Sequence, residues 1–119
     1  MKAFEVFLNG KRLCRAGIGN DGVLDAVIDY VGGDGRDHLH MHVGGLNSAT
    51  DEFVNWVPLR NLKVGDEVSV RIVETNRVDR PKEQKPGEQV RREMKRWERK
   101  KSPQTKWSEK TTAKSKARA

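Results

Sequence analysis

The sequence predicts a mainly β protein: a small antiparallel β-sandwich or open barrel of five or six strands, followed by one basic helix and a disordered tail. Three observations carry that expectation. Apolar residues alternate with period two through most of the first 75 positions. Gly, Asn and Asp clusters punctuate the runs. Near residue 80 the composition changes abruptly: residues 1–79 hold 9 Lys+Arg against 12 Asp+Glu, a net of −3, whereas residues 80–119 hold 15 against 5, a net of +10. The chain therefore divides into a β-domain (1–79), a linker (80–87), a basic amphipathic helix (88–101) and a disordered basic tail (102–119).

The first strands flank Asn9-Gly10 in "FEVFLNGKRLC". Asn-Gly accepts positive φ at both central positions of a type I′ turn, so the segment reads as a hairpin with Leu8 facing Lys11, Val6 facing Leu13 and Phe4 facing Arg15. Cys14 then lies opposite Glu5, and Phe4, Val6, Leu8 and Leu13 share the core face.

"GVLDAVIDYV" puts Leu24, Ala26, Ile28 and Tyr30 on one face and Val23, Asp25, Val27, Asp29 and Val31 on a wetter one. After "GGDGRD", "HLHMHV" alternates Leu39, Met41 and Val43 with the three histidines. A hairpin across that loop sets Ile28 opposite Met41 and Asp29 opposite His40, so the apolar faces coincide. "FVNWVPL" reads as a short strand ended by Pro58. "LKVGDEVSVRIVET" reads as a turn at Gly65-Asp66 followed by a strand with Val68, Val70 and Ile72 on one face. Phe4, Tyr30, Phe53 and Trp56 are the expected bulk of the core. "VGDEVSVRIV" looks like the closing strand of many small β-domains, too short a match to name a family.

"DRPKEQKPGEQ" is charged, holds two prolines and lacks an apolar face, hence the linker. "GEQVRREMKRWERKK" spaces Val90, Met94 and Trp97 at i, i+4 and i+7, a helix with a narrow apolar stripe stopped by Ser102-Pro103. "SPQTKWSEKTTAKSKARA" is polar, basic and low in complexity.

The hydrophobic fraction is 34% and the chain has one cysteine, Cys14, which excludes an intrachain disulfide. No run approaches the roughly 20 apolar residues of a membrane span, nor does the N-terminus resemble a signal peptide, so a cytoplasmic protein without a membrane partner is expected.

Two features carry chemistry. The histidines stand at every second position of one strand, about 6.6–6.8 Å apart along the chain, so adjacent members alone could share an ion. Two adjacent members of His38, His40 and His42, with Asp29 from across the sheet, form a chemically reasonable set for Zn²⁺ or Fe²⁺. The preferred reading of the same pattern is a polar sheet face. Cys14 has no base beside it in sequence, the stretches "GIGNDG", "GGDG" and "GG" precede no helix that would cradle phosphate, and no nucleophile triad or Walker motif occurs. A non-catalytic protein without a cofactor is expected.

The basic arm is the stronger signal. Arg91, Arg92, Lys95, Arg96, Arg99, Lys100, Lys101 and Lys106 offer phosphate neutralisation, and Trp97 and Trp107 offer flat stacking surfaces. The expected function is a binding or adaptor module whose arm contacts a polyanion, foremost nucleic acid without strong sequence preference. Two alternatives stand beside it: a protein-interaction module with a merely solubilising tail, and a metal-binding protein using the histidine face.

Overall fold

The computed structural model describes residues 1–100, with side chains through Arg96. The expected disordered tail (102–119), with Lys106 and Trp107, lies outside the described residues, as does Lys101 at the end of the expected helix. The described chain divides into two units that part between Gly87 and Glu88.

The first unit is all β. Its strands are β1 (Lys2–Leu8), β2 (Lys11–Ala16), β3 (Gly22–Gly33), β4 (Arg36–Asn47), β5 (Glu52–Asn61), β6 (Val68–Glu74) and β7 (Glu83–Pro86). They form two antiparallel sheets, ordered β2-β1-β6 and β3-β4-β5-β7. Val6, Cys14 and Ala16 of the first sheet bury against Met41, Val43, Val54, Trp56 and Val57 of the second. That shared apolar layer is what holds two sheets together.

Asn9 (φ 52°) and Gly10 (φ 82°) turn the first hairpin as expected. The register beyond the turn differs from expectation. Leu8 faces Lys11 and Phe7 faces Arg12, but Leu13 is then an extra residue, so Val6 faces Cys14, Glu5 faces Arg15 and Phe4 faces Ala16. The bulge turns both Leu13 and Cys14 toward the core. It also brings Arg12 and Arg15 to the same outward face, which regular alternation would forbid.

The β3–β4 hairpin matches expectation: Ile28 faces Met41 and Asp29 faces His40. Asp34 (φ 50°) and Gly35 (φ 75°) form its turn. Tyr30, expected in the core, is 65% exposed, as is most of Ile28. The pairing of β4 with β5 ends at His40–Asn61, so the hairpin tip projects past the strands that would cover it.

Strand β5 continues through Pro58 to Asn61 instead of stopping there. The β4–β5 register slips between Val57–Val43 and Arg60–Met41, and Pro58 falls in that irregularity, where a missing N–H costs no ladder bond. A second slip beside Gly44 lets adjacent Trp56 and Val57 both point inward.

Residues expected as linker belong to the β unit. Trp56 Nε1 donates to the Asp79 carbonyl at 2.7 Å. Asp79 N–H donates to the Arg15 carbonyl and Lys82 N–H to the Asn55 carbonyl, each at 2.8 Å. The segment thus crosses from the edge of β2 to β5, where β7 pairs antiparallel from Glu52–Pro86 to Asn55–Glu83. Its side chains are exposed, and its attachment is almost wholly main-chain hydrogen bonding.

The second unit contains α1 (Gly87–Lys100), close to the expected span. Glu88 in its first turn complements the helix dipole and pairs with Arg92 one turn on. No helix among the described residues is long and apolar enough to cross a membrane.

Candidate functional site

Four cations of helix α1 share one side. Arg91, Arg92, Lys95 and Arg96 are all exposed, and at 100° per residue they span an arc of about 140°. Val90, half-buried, and Met94, 56% exposed, fall outside that arc. Gln89 donates to Glu93 at 3.3 Å on the helix surface. Trp97, Arg99 and Lys100 continue the helix backbone, with side chains outside the described residues.

The histidines occupy the outward face of β4. His38 is paired with Val31, His40 with Asp29 and His42 with Val27. His42 Nε2 lies 3.6 Å from Asp25 Oδ1, the carboxylate one strand over, rather than from Asp29. His40 Nδ1 and Asp25 Oδ1 are buried and make no hydrogen bond. Among the described residues, no three His, Cys, Asp or Glu side chains form a group that could hold a metal ion. What the face does form is a groove of about 310 Å³ lined by Val23, Asp25, His42, Leu46, Phe53 and Asn55. Gly44 has no room for a side chain beside Asn55, since a Cβ there would sit 2.2 Å from Asn55 Oδ1.

Cys14 is buried against Val6, not Glu5. Burial, reinforced by the Asp79 charge, pushes its thiol up to about 11. At neutral pH it is a protonated core side chain and no nucleophile.

A second cationic cluster was not anticipated from sequence. On the outward face of the three-stranded sheet, Glu5 Oε2 accepts from Arg15 Nη2 at 2.8 Å and Arg15 Nε at 3.1 Å. The same oxygen accepts from Arg12 Nη1 at 3.3 Å, while Arg71 Nη1 lies 3.9 Å from Oε1. The Arg15 hydrogen bonds, followed by the neighbouring guanidinium charges and opposed by burial, hold the Glu5 carboxyl below its ordinary range. The Arg71 guanidinium lies over the Phe7 ring, 5.7 Å from its centroid. Beside this pair opens a shallow depression of about 360 Å³, lined by Phe7, Gly10, Ser69, Val70 and Arg71.

The sequence signal for this cluster was present but out of phase. Arg12 and Arg15 fall on opposite faces of a regular strand, and only the Leu13 bulge unites them. The net charge of −3 on residues 1–79 also hid it. The three strands carry Lys2, Lys11, Arg12, Arg15 and Arg71 against Glu5 and Glu74, so the acidic excess lies elsewhere in the unit.

Compared with family models, curated proteins and solved structures, the chain matches none of them.

Proposed function

We propose that this chain is a non-catalytic binding or adaptor module whose basic C-terminal arm contacts a polyanion, foremost nucleic acid without strong sequence preference. The carrying observation is charge segregation: a net of +10 on residues 80–119, with four exposed cations on one arc of α1. Such an arc runs alongside a phosphate backbone and releases its counterions, which gives affinity without base readout. The reading places the protein in the cytoplasm, in keeping with a single buried thiol in the reduced state.

The test is binding of fluorescent single-stranded and duplex oligonucleotides across a salt series. The full chain is compared with a variant carrying Arg91→Ala, Arg92→Ala, Lys95→Ala and Arg96→Ala. Loss of each phosphate contact lowers the slope of log K against log salt by about 0.7 on a single strand and about 0.9 on B-DNA. Equal affinity and slope for the two proteins would sink the proposal.

A protein-interaction module is the second reading. It draws on exposed apolar side chains at the ends of both sheets: Ile28 and Tyr30 on β3, Val70 and Ile72 on β6. A partner retained after nuclease treatment, and lost on Ile72→Ser with Tyr30→Ser, would favour it.

A further inference from the structure

The outward face of the three-stranded sheet holds more positive charge than its own fold consumes. Across β2, β1 and β6 one row reads Arg15, Glu5, Arg71, and the next reads Arg12, Phe7, Ser69. One carboxylate serves three guanidiniums, so the cluster retains a surplus of two positive charges among the described residues. Arg15 alone satisfies Glu5 Oε2 with two hydrogen bonds. Arg12 and Arg71 also reach this carboxylate, at 3.3 and 3.9 Å, but one negative charge cannot neutralise three guanidiniums. The nearby Asp79 carboxylate, whose Oδ2 accepts from the Arg15 main-chain N–H at 2.8 Å, keeps its charge and lowers the local surplus, but among the described residues the ion pairs of Arg12 and Arg71 are with Glu5.

The surplus is also on offer to a ligand. Arg71 is 71% exposed and Arg12 44%, whereas Glu5 is 10% exposed beneath them. Each guanidinium has five N–H donors, and Glu5 engages Arg12 through one hydrogen bond and Arg71 through an ion pair at 3.9 Å. The Arg71 guanidinium lies over the Phe7 ring, 5.7 Å from its centroid, and both line the shallow depression together with Ser69.

We propose that this face is a second binding surface, for the phosphodiester backbone and bases of a single-stranded nucleic acid. Arg12 and Arg71 contact phosphates, and the Arg71–Phe7 pair is the platform on which an unpaired base stacks. A duplex hides its base faces and leaves that platform unused. An acidic peptide would satisfy the charge but not the stacking surface. The proposal shares the polyanion of the function proposed above, yet its residues belong to the β unit and stand or fall separately from the arm.

The experiment uses the full chain and a fluorescent oligo-dT probe in a salt series, with three proteins: parent, Arg12→Ala/Arg71→Ala, and the four-residue arm variant. Arg15 is kept so that Glu5 retains its main partner. The sheet variant is expected to bind roughly tenfold more weakly and to lose about 1.4 from the salt slope, two contacts at about 0.7 each. If the sheet variant matches the parent while the arm variant does not, the sheet surface is overturned and the arm reading survives. The converse result overturns the arm reading and upholds the sheet. No binding by the parent overturns both. Loss of duplex binding equal to the loss of oligo-dT binding, or competition by poly-glutamate as effective as by unlabelled oligo-dT, overturns the single-strand assignment. Should the double variant fail to fold, Arg71→Glu, at a mostly exposed position, carries the test. Reversed charge at a phosphate contact weakens binding more than tenfold, and unchanged binding overturns the proposal.

Discussion

Asn9 Nδ2 donates to Asp66 Oδ1 at 3.0 Å, joining the first hairpin turn to the turn before β6 across 57 residues of sequence. The same amide accepts from the Glu67 N–H at 2.9 Å, and the Asn9 N–H donates to the Glu67 carbonyl at 2.8 Å. Asp66 Oδ2 in turn accepts from the Lys63 N–H at 2.9 Å, which shapes its own turn. Asn9 thus meets two demands, a positive φ and a clamp on a distant loop. Replacing it with Ala removes both and is expected to cost about 1–2 kcal/mol, whereas Gly keeps the backbone freedom and loses only the clamp. Urea melts of the two variants separate the contributions; equal destabilisation would show that the backbone demand is trivial.

Acid should weaken the fold through two identifiable carboxyls. Asp66 is held below its ordinary range first by the Asn9 amide and then by the Lys63 N–H, and Glu5 first by the Arg15 hydrogen bonds. A folded-state pKa below the unfolded one gives stability that is fully present above about pH 4 and is lost as pH falls through the lowered value. Melting temperature measured from pH 6 to pH 2 should therefore fall below pH 4, and Asp66→Asn should flatten part of that fall. A variant with the parent's full acid sensitivity would contradict the assignment to Asp66.

Cys14 predicts the opposite limb. With its thiol pushed up to about 11, the folded chain should resist alkylation at pH 8, and denaturant should expose the thiol to rapid labelling. The raised value contributes stability that is present below the ordinary thiol pKa of about 8.5 and is lost as pH rises toward 11. Native-state labelling as fast as that of the unfolded chain would show that the site opens readily.

Trp56 fastens the segment after β6. Trp56→Phe keeps most of the buried ring but leaves the Asp79 carbonyl without its indole donor, at a cost of about 1–3 kcal/mol. Hydrogen exchange should accelerate first at Asp79, Lys82 and β7, before the β3–β4 ladder. Uniform acceleration throughout the unit would mean that the segment has no separate stability.

Gly45 tolerates no side chain. A Cβ there would lie 1.9 Å from the Val23 carbonyl oxygen, a main-chain atom that cannot swing aside. Gly45→Ala should therefore cost about 1–3 kcal/mol by forcing β3 and β4 apart, measured by thermal melting. An unchanged melt would show that the paired strands yield without loss.

Legibility in the sequence followed the physics of each element. The β3–β4 register was readable because two alternating faces and a Gly-Asp turn agree, and a slip of one residue would have buried Asp29. The β2 register was not, because "KRLCRA" alternates acceptably either with or without a bulge at Leu13. That single ambiguity concealed the Glu5–Arg15 pair and with it the second cationic face. Strand β7 left no apolar pattern because main-chain groups hold it. The exposure of Tyr30 depends on where β5 stops pairing, a property of another strand. The α1 span was plain from Val90, Met94 and the i,i+4 charges.

The central strand of the three-stranded sheet is β1, paired on one side with its immediate neighbour β2 and on the other with β6, from Lys2–Glu74 to Leu8–Val68. Half of its ladder is thus local and half closes loops of about 60 residues or more, an entropic cost met before the contacts repay it. During synthesis the two hairpins can form as they emerge, but β1 keeps an unpaired edge until β6 has left the ribosome. The late step in folding is then the β1–β6 zipper, and a nascent chain stopped short of residue 68 is the form most exposed to edge-to-edge aggregation.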